Sequence, residues 1–323
     1  MHPHIRNYFT LRPDYLGITI RLGALAAIFT LLGFLGRYHW FCDLFSHFRL
    51  QYAVVSILIA IALWMMRRPV LALLASAVML TNIITVAPHL TGRSPVPNHD
   101  SHKALLINVN TNLGSPTKVI ELIKQEQPDI VVLEETDYGW LDQLQPLKAL
   151  YPHHLLKPRS DNFGITVYSR WPLISEHVRY IGLGGIPSLL VTVETPDGPL
   201  DVIATHPVPP SGPSMSEDRD SQLYDLADHV NPEANTLLLG DLNTTPWNYH
   251  FRRLCQRANL VDSASAFRLQ ATWPTQLPIL WIPLDHCLHS SNVQVHSHRT
   301  GTSVDSDHYP LIINFSLQSA RED

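Results

Sequence analysis

Three long apolar runs occupy the first hundred residues of the chain. They extend from about residue 16 to 36, from about 50 to 66 and from 69 to 90. Arg21 interrupts the first run, and Arg67 and Arg68 separate the second from the third. About 20 apolar residues are enough for a helix to cross a bilayer, and a lone arginine can extend its charge to the interface. The pattern therefore predicts an anchor of three transmembrane helices within residues 1–91, rather than a helical domain buried inside a soluble protein.

The pattern changes after residue 91. Residues 92–101 have no periodicity and contain two prolines, which indicates a linker. From residue 102 to 318, short apolar runs of strand length, such as 104–109, 130–133 and 237–240, alternate with stretches of helical periodicity, such as 116–127. This alternation predicts an α/β domain over residues 102–318. Residues 319–323 form a short polar tail.

Charge divides the chain in the same way. The formal net charge is −5, but residues 1–100 contain eight arginines and three acids, so the remainder carries a net charge of −10. Nucleic-acid binding depends on phosphate neutralisation by lysine and arginine, so this acidic composition disfavours a nucleic-acid partner without excluding one. Three scattered cysteines predict neither a disulfide framework nor a zinc site.

Polar side chains stand repeatedly where the predicted strands of this domain begin or end. Asp241 and Asn243 follow the strand 237–240, and alternation along a strand places both side chains on one side. Aspartate and asparagine are also ordinary turn residues, so this pair alone is compatible with a simple turn. Further polar residues at strand ends strengthen the prediction of a shared site at one edge of a sheet. They are Asn108, Glu135, His206, Asp285, Asp307 and His308.

The ordered motifs that carry these residues resemble the endonuclease/exonuclease/phosphatase, or DNase I-like, superfamily. The resemblance covers about residues 102–316, and the anchored layout is similar to bacterial inner-membrane members. It implies a four-layer sandwich of two mixed β-sheets flanked by helices. It also implies a metal-dependent phosphoric ester hydrolase. The motifs are Ile107-Asn108-Val109, Leu133-Glu134-Glu135, Ala204-Thr205-His206-Pro207, Gly240-Asp241-Leu242-Asn243, Leu284-Asp285-His286 and Ser306-Asp307-His308.

The resemblance also implies a role for each matching residue. Asn108 and Glu135, with Asp307 in the second sphere, are expected to hold Mg²⁺, with Mn²⁺ as a substitute. Catalytic roles are expected for five residues: Asp241 orients or deprotonates the attacking water, Asn243 holds the phosphate or that water, His308 contacts the phosphate, Asp285 orients His308, and His206 protonates the leaving oxygen. Glu134 is a secondary candidate whose side chain should point away from Glu135.

The expected function is therefore a membrane-tethered, Mg²⁺-dependent phosphodiesterase or phosphatase whose substrate is a phosphate ester, with a lipid headgroup as one candidate. The alternatives are a periplasmic endonuclease or exonuclease and a catalytically silent membrane module that binds a phosphate ligand. The arginines near the apolar runs favour a cytoplasmic N-terminus, so three crossings place the domain on the periplasmic side of a bacterial inner membrane. The sequence gives no prediction of oligomeric state.

Overall fold

The computed structural model describes residues 14–92 and 101–318. Most of the predicted linker, residues 93–100, and the predicted tail, residues 319–323, lie outside the described residues. The N-terminal part folds into four helices: α1 (Tyr15–Phe34), α2 (Trp40–Leu44), α3 (Arg49–Met65) and α4 (Pro69–Leu90). Asp14 caps α1 by accepting a hydrogen bond from the Gly17 backbone nitrogen at 2.9 Å.

Two of these helices, not three, have spanning length. Helices α1 and α4 contain 20 and 22 residues and are apolar enough to cross a membrane by length and composition. Helix α3 contains 17 residues, or about 25 Å, which is less than the ~30 Å of a bilayer core. Its first residue, Arg49, is buried among the helices and donates to the Thr30 carbonyl at 2.8 Å. Helix α3 is therefore shorter than the full-length span that the sequence predicts, because the second apolar run begins with a buried charge.

The second part contains twelve strands in its described residues, with helices between them. The strands are β1 (His102–Asn108), β2 (Ile130–Glu134), β3 (His153–Lys157), β4 (Ile165–Ser169), β5 (Leu173–Tyr180), β6 (Pro187–Thr195), β7 (Gly198–Thr205), β8 (Thr236–Asp241), β9 (Val261–Asp262), β10 (Asp285–His289), β11 (Val293–Thr300) and β12 (Leu311–Leu317). The helices are α5 (Pro116–Glu126), α6 (Tyr138–Gln143), α7 (Pro213–Asp225) and α8 (Tyr249–Ala258).

The strands form two six-stranded mixed sheets. The first has the order β11-β12-β1-β2-β4-β3 and the second β5-β6-β7-β8-β10-β9. Only the β1–β2 and β7–β8 pairs are parallel; the other named strand pairs among the described residues are antiparallel. The predicted arrangement of two mixed sheets flanked by helices is confirmed.

Alternation along the strands builds the layers. Leu106 and Leu239 point between the sheets into the central core, whereas Leu105 and Leu238 point outward. The outer face of the first sheet packs against α5 and α6, and that of the second against α7 and α8. Because both faces of the central strands are covered, their sequences are continuously apolar.

Helix α7 begins earlier than the sequence predicts. Residues 209–218 are expected to form a loop, but the helix starts at Pro213, whose fixed φ suits the first helical turn. The periodicity is hidden because the buried face carries Ser216, Arg219 and Gln222 beside Leu223. A polar buried face gives no apolar stripe from which to predict a helix.

The connection between α1 and α3, residues 35–48, packs against the sandwich. Asp43 is 1% exposed and accepts a hydrogen bond from the guanidinium of Arg219, itself 0% exposed, at 2.7 Å. The Trp247 indole donates to the Ser46 carbonyl at 2.9 Å, and the Asn248 amide donates to Asp43 at 2.6 Å. The N-terminal helices and the sandwich therefore share a buried polar interface.

Candidate active site

The candidate site lies where strands of both sheets meet at one edge of the sandwich. Strands β1, β2, β7 and β8 end there, and β10 begins there, with Asp285 opposite Asp241 in register. Strands β7 and β8 of the second sheet approach closely at Gly240, where a Cβ atom would lie 1.8 Å from the Thr205 carbonyl oxygen. Only glycine fits this approach, which brings Asp241 to the base of the site.

Asp241 occupies the centre of the site. Its Oδ2 atom lies 3.7 Å from His206 Nε2, 3.6 Å from His308 Nε2 and 3.3 Å from Asn108 Nδ2. Its Oδ1 atom accepts a hydrogen bond from the Asn243 backbone nitrogen at 2.9 Å. Burial raises the pKa of the Asp241 carboxyl above its ordinary value. One carboxylate is thus shared among four polar neighbours.

His308 and Asp285 form a buried pair next to Asp241. The two side chains are joined by a 2.8 Å hydrogen bond between His308 Nδ1 and Asp285 Oδ2. Burial alone would lower the pKa of His308, but the charges of Asp285 and Asp241 outweigh it and raise that pKa to about 10. Burial raises the pKa of Asp285, and the charge of His308 reverses this and lowers it. The pair therefore holds a cationic imidazole in a fixed orientation.

His206 lies on the other side of Asp241 and differs electrostatically from His308. Burial, together with the charge of His308, lowers the pKa of His206 to about 3. Its Nδ1 atom is buried and has no hydrogen-bond partner among the described residues. The ring of Phe163 lies 5.5 Å from the imidazole. The site thus combines one neutral and one charged imidazole on either side of a carboxylate.

The predicted metal ligands have different hydrogen-bond partners. Asn108 Nδ2 donates to Glu135 Oε1 at 3.0 Å, so these two are adjacent. Asp307 instead accepts hydrogen bonds from the Asn110 amide at 2.7 Å and the Trp273 indole at 3.0 Å. Its role as a ligand stays a prediction.

Glu134 and Glu135 face different surroundings although they are neighbours. Glu134 is fully buried, and its carboxyl group accepts from the Asp241 backbone nitrogen at 3.0 Å, which links the two sheets. Burial and the charge of Asp241 raise the pKa of Glu134 well above its ordinary value. Glu135 has a φ of 60°, a left-handed conformation that is uncommon outside glycine, and lines the pocket. The strained turn thus presents only the second carboxylate to a ligand.

A pocket of about 630 Å³ opens above these residues. Its polar side is formed by Glu135, His206, Asp241, Asn243 and His308. Its other side is largely apolar, and Leu44 and Phe48 of the α1–α3 connection contribute to it, with Trp273, Ile282 and Leu284 opposite. The N-terminal part of the chain therefore supplies one wall of the pocket.

The sequence model of the Endonuclease/Exonuclease/phosphatase family matches residues 105–308, which is more than half of the chain. The chain belongs to this family. Its members are mostly hydrolases of phosphoester bonds. No curated protein matches the chain.

Solved structures share the endonuclease/exonuclease/phosphatase fold with this chain. An endonuclease/exonuclease/phosphatase from Beutenbergia cavernae is 21% identical, with a TM-score of 0.55 and coverage of 67% of this chain and 72% of that one. D. rerio TDP2 complexed with a single-strand DNA product is 15% identical, with a TM-score of 0.57 and coverage of 67% and 99%. A beta toxin variant from Staphylococcus aureus with bound magnesium ions is 17% identical, with a TM-score of 0.52 and coverage of 66% and 99%. At these identities the likeness shows the fold alone.

The endonuclease/exonuclease/phosphatase site of this chain fits a divalent cation. Asp241 and Asp285 offer carboxylate oxygens that lie within 4.8 Å of each other, and Glu135 lines the same pocket. The charged His308 beside them donates from both ring nitrogens and is not counted as a ligand. The Asp285 Oδ1 atom is buried without a hydrogen-bond partner among the described residues, and no lysine or arginine is found among the described residues that line the pocket. Buried carboxylates need a compensating charge, and oxygen ligands are those that Mg²⁺ prefers.

Some residues of the endonuclease/exonuclease/phosphatase site are absent from the sequence prediction. Asn110 and Trp273 hold Asp307, and the Thr272 hydroxyl accepts from the backbone nitrogen of Asp285 at 3.2 Å. Arg219 Nη1 donates to the Asn243 carbonyl at 3.2 Å. An asparagine two residues after Asn108 is a local signal that could have indicated Asn110. Arg219 gave no such signal, because its partner Asp43 lies in the N-terminal part.

Proposed function

We propose that this protein is a membrane-tethered, metal-dependent phosphodiesterase or phosphatase. The position of Asp241 carries the proposal: its carboxylate lies between His206 and His308 and beside Asn108, at the base of an open pocket. A carboxylate between two imidazoles is suited to directing a water molecule at an electrophile and to moving protons around it. Because members of the family are mostly phosphoester hydrolases, the proposed electrophile is the phosphorus atom of a phosphoester.

The expected cofactor is Mg²⁺, with Mn²⁺ as a substitute. Asn108 and Glu135 would hold the ion, with Asp307 close by. When bound, the ion would supply positive charge that offsets the charge of the phosphate. The magnesium ions of the beta toxin structure make Mg²⁺ the first ion to test.

The chain's own side chains have separable roles in the proposed reaction. Asp241 orients or deprotonates the attacking water. The amide nitrogen of Asn243 already donates to the Pro207 carbonyl at 2.9 Å, so its amide oxygen is the atom left to hold that water. His308, oriented by Asp285, contacts the phosphate oxygens and, as the charged imidazole, carries a proton that the leaving oxygen can take. His206, the acid that the resemblance implies, is neutral because its pKa is lowered, so it can protonate the leaving oxygen only after taking up a proton itself.

Hydrolysis of bis-p-nitrophenyl phosphate by the full-length chain in detergent, with Mg²⁺, tests the proposal. Asp241→Asn and His308→Ala should each lower kcat by at least about a hundredfold, since general acid–base groups contribute about 10² to 10⁴. Chelation by EDTA should abolish turnover, and added Mg²⁺ should restore it. Asp142→Asn, at an exposed position away from the pocket, is the matched control. Wild-type rates in both site variants would refute the proposed active site.

Nuclease activity is the competing enzymatic hypothesis, and the composition of the pocket disfavours it. No lysine or arginine is found among the described residues that line the pocket, whereas nucleic-acid binding draws on contacts from basic side chains. A gel assay with single- and double-stranded DNA and RNA should therefore show little cleavage. The silent-module alternative is weakened because His206, Asp241, Asn243 and His308 line one pocket. Measured turnover would eliminate this alternative.

We propose that residues 1–91 form the anchor and residues 102–318 the catalytic domain, with the domain on the periplasmic side of a bacterial inner membrane. Asp43 after α1, Gln51 near the start of α3 and His89 near the end of α4 all contact the sandwich. Arg67 and Arg68 lie at the other end of the helices. This geometry supports a bundle whose arginine-rich end is cytoplasmic. In spheroplasts, external protease should digest the domain; full protection would overturn this orientation.

A further inference from the structure

An apolar groove lies next to the catalytic pocket, between α3 and the catalytic domain. One wall is formed by Val54, Val55 and Leu58 of α3, and the other by Ile279, Trp281 and Tyr309. We name it the α3 groove; its volume is about 640 Å³. Leu58 is 62% exposed and Ile279 is 78% exposed, so large apolar side chains on both walls face outward. Contiguous exposed apolar surface of this kind marks a binding or membrane-facing site.

The two walls of the α3 groove are held in fixed positions. The Gln51 amide nitrogen donates to the Trp281 carbonyl at 2.9 Å, and the Trp281 ring lies 6.2 Å from the Tyr309 ring in an edge-on arrangement. The amide oxygen of Gln51 is buried and has no hydrogen-bond partner among the described residues. The groove is therefore formed before a ligand arrives, and most of its lining is apolar.

The α3 groove and the catalytic pocket are adjacent along two segments of the chain. Phe48 lines the pocket and Leu50 lines the groove; likewise Ile282 lines the pocket and Trp281 lines the groove. Phe48 and Ile282, the pocket residues next along the chain to the groove, are apolar, whereas Asp241 and the histidines are the polar part of the same lining. A ligand whose phosphate lies at Asp241 therefore meets apolar surface in the direction of α3.

We propose that the α3 groove binds the hydrocarbon chain of a phospholipid whose phosphate group lies in the catalytic pocket. This inference rests on the proposed function and adds the class of substrate. The groove continues onto the exposed apolar face of α3, where Ile61 is 52% and Trp64 is 69% exposed. A hydrocarbon chain can thus pass from the bilayer into the groove without crossing water. It therefore avoids the free-energy cost of exposing apolar surface to water. No lysine or arginine is found among the described residues that line the groove, as expected for a lipid chain rather than a nucleic-acid strand.

Photo-crosslinking tests the groove independently of turnover. The full-length chain is reconstituted in phosphatidylcholine vesicles that contain a phosphatidylcholine with a diazirine on its acyl chain. Illumination should place adducts on residues 278–281 of the catalytic domain, which mass spectrometry locates. Val54→Trp should reduce these adducts about tenfold or more, because excluding even two methylene groups from an apolar site costs about that factor in affinity. Leu31→Trp, at an exposed position on α1 outside the groove, is the matched control and should change nothing.

The outcomes separate the groove from the proposed function. Absence of adducts on 278–281, or equal adducts in wild type and Val54→Trp, would overturn the groove, since the segment would then only touch the bilayer surface. Hydrolysis of bis-p-nitrophenyl phosphate reports the proposed function separately and should be unchanged in Val54→Trp. Should that variant misfold, Leu58→Trp narrows the same groove outside the labelled segment and should lower the adducts in the same way. Cleavage of DNA or RNA faster than of any phospholipid would also refute the lipid assignment.

Discussion

Replacing Asp43 by asparagine should destabilise the catalytic domain although Asp43 lies outside it. The carboxylate accepts hydrogen bonds from Arg219 at 2.7 Å and from Asn248 at 2.6 Å, and both it and Arg219 are almost completely buried. An asparagine side chain has a single acceptor oxygen, so one of these donors would face an amide NH₂ group. The guanidinium would then keep only Asp220, at 2.7 Å, as its charged partner.

The expected loss follows from the burial of this ion pair. Removing one partner of a buried pair costs about 3 to 5 kcal/mol, and the remaining contact with Asp220 favours the lower end. An unfolding entropy of about 2.1 cal/mol/K per residue over the roughly 220 residues of the domain gives ~0.5 kcal/mol per kelvin. A loss of about 3 kcal/mol therefore lowers Tm by about 6 °C.

The measurement is thermal unfolding of the full-length chain in detergent, followed by near-UV circular dichroism. Asp142→Asn makes the same chemical change at an exposed position and should leave Tm unchanged. A Tm shift for Asp43→Asn no larger than that of the control would show that the interface does not stabilise the domain, and would refute the reasoning.

The loss of stability in Asp43→Asn should depend on pH. Burial raises the pKa of Asp43, but the His47 imidazole, 3.7 Å away, and the charge of Arg219 outweigh it and hold that pKa well below its ordinary value. A depressed folded-state pKa contributes stability that is fully present above the unfolded value of about 3.9 and is lost as pH falls below it. The difference in Tm between wild type and Asp43→Asn should therefore be greatest near neutral pH and shrink in acid.

Further predictions concern other parts of the sandwich. Gly240→Ala should prevent stable folding, because the added Cβ would lie 1.8 Å from the Thr205 carbonyl oxygen; expression and Tm measure this, and a normal Tm would contradict it. Burial raises the pKa of Asp262 to about 7, so its contribution to stability is present below about pH 4 and is lost as pH rises to 7. Asp262→Asn should therefore raise Tm at pH 8 and have little effect at low pH; equal effects at both would be inconsistent. A fragment of residues 101–318 should unfold at lower temperature than the full-length chain, because Arg219 loses Asp43; an equal Tm would show that the domain is independent.

The sheets and the main site residues could be predicted from sequence for a physical reason. Apolar runs of strand length are local patterns, and polar residues where such runs begin or end fall at the sheet edge where the strands meet. Asn108, Glu135, His206, Asp241, Asp285 and His308 stand in such places. The strand 237–240 was therefore predictable, and Asp241, the polar residue at its end, lies between His206 and His308.

The contacts that join the two parts of the chain could not be predicted from sequence in the same way. Asp43 and Arg219 are 176 residues apart, and no local pattern relates them. Arg219 lies on a helix whose buried face is polar, so the start of that helix at Pro213 was also missed. The sequence pattern places Arg49 in the loop between two apolar runs. In the structure it is buried and donates to Thr30 and Asn82 of neighbouring helices. Each of these depends on tertiary partners that supply the hydrogen bonds a buried charge requires.

The buried contact between Asp43 and Arg219 has a consequence for biosynthesis. Asp43 leaves the ribosome 176 residues before Arg219, so the carboxylate must remain solvated until the domain has been synthesised and folded against it. In the proposed anchored state, a chain in which only one of helices α3 and α4 crosses the bilayer would hold Asp43 on the opposite side of the bilayer from its partner. The pocket would then lack the wall that Leu44 and Phe48 provide. Correct insertion is thus a condition for a complete pocket, and misinserted chains would fold without one.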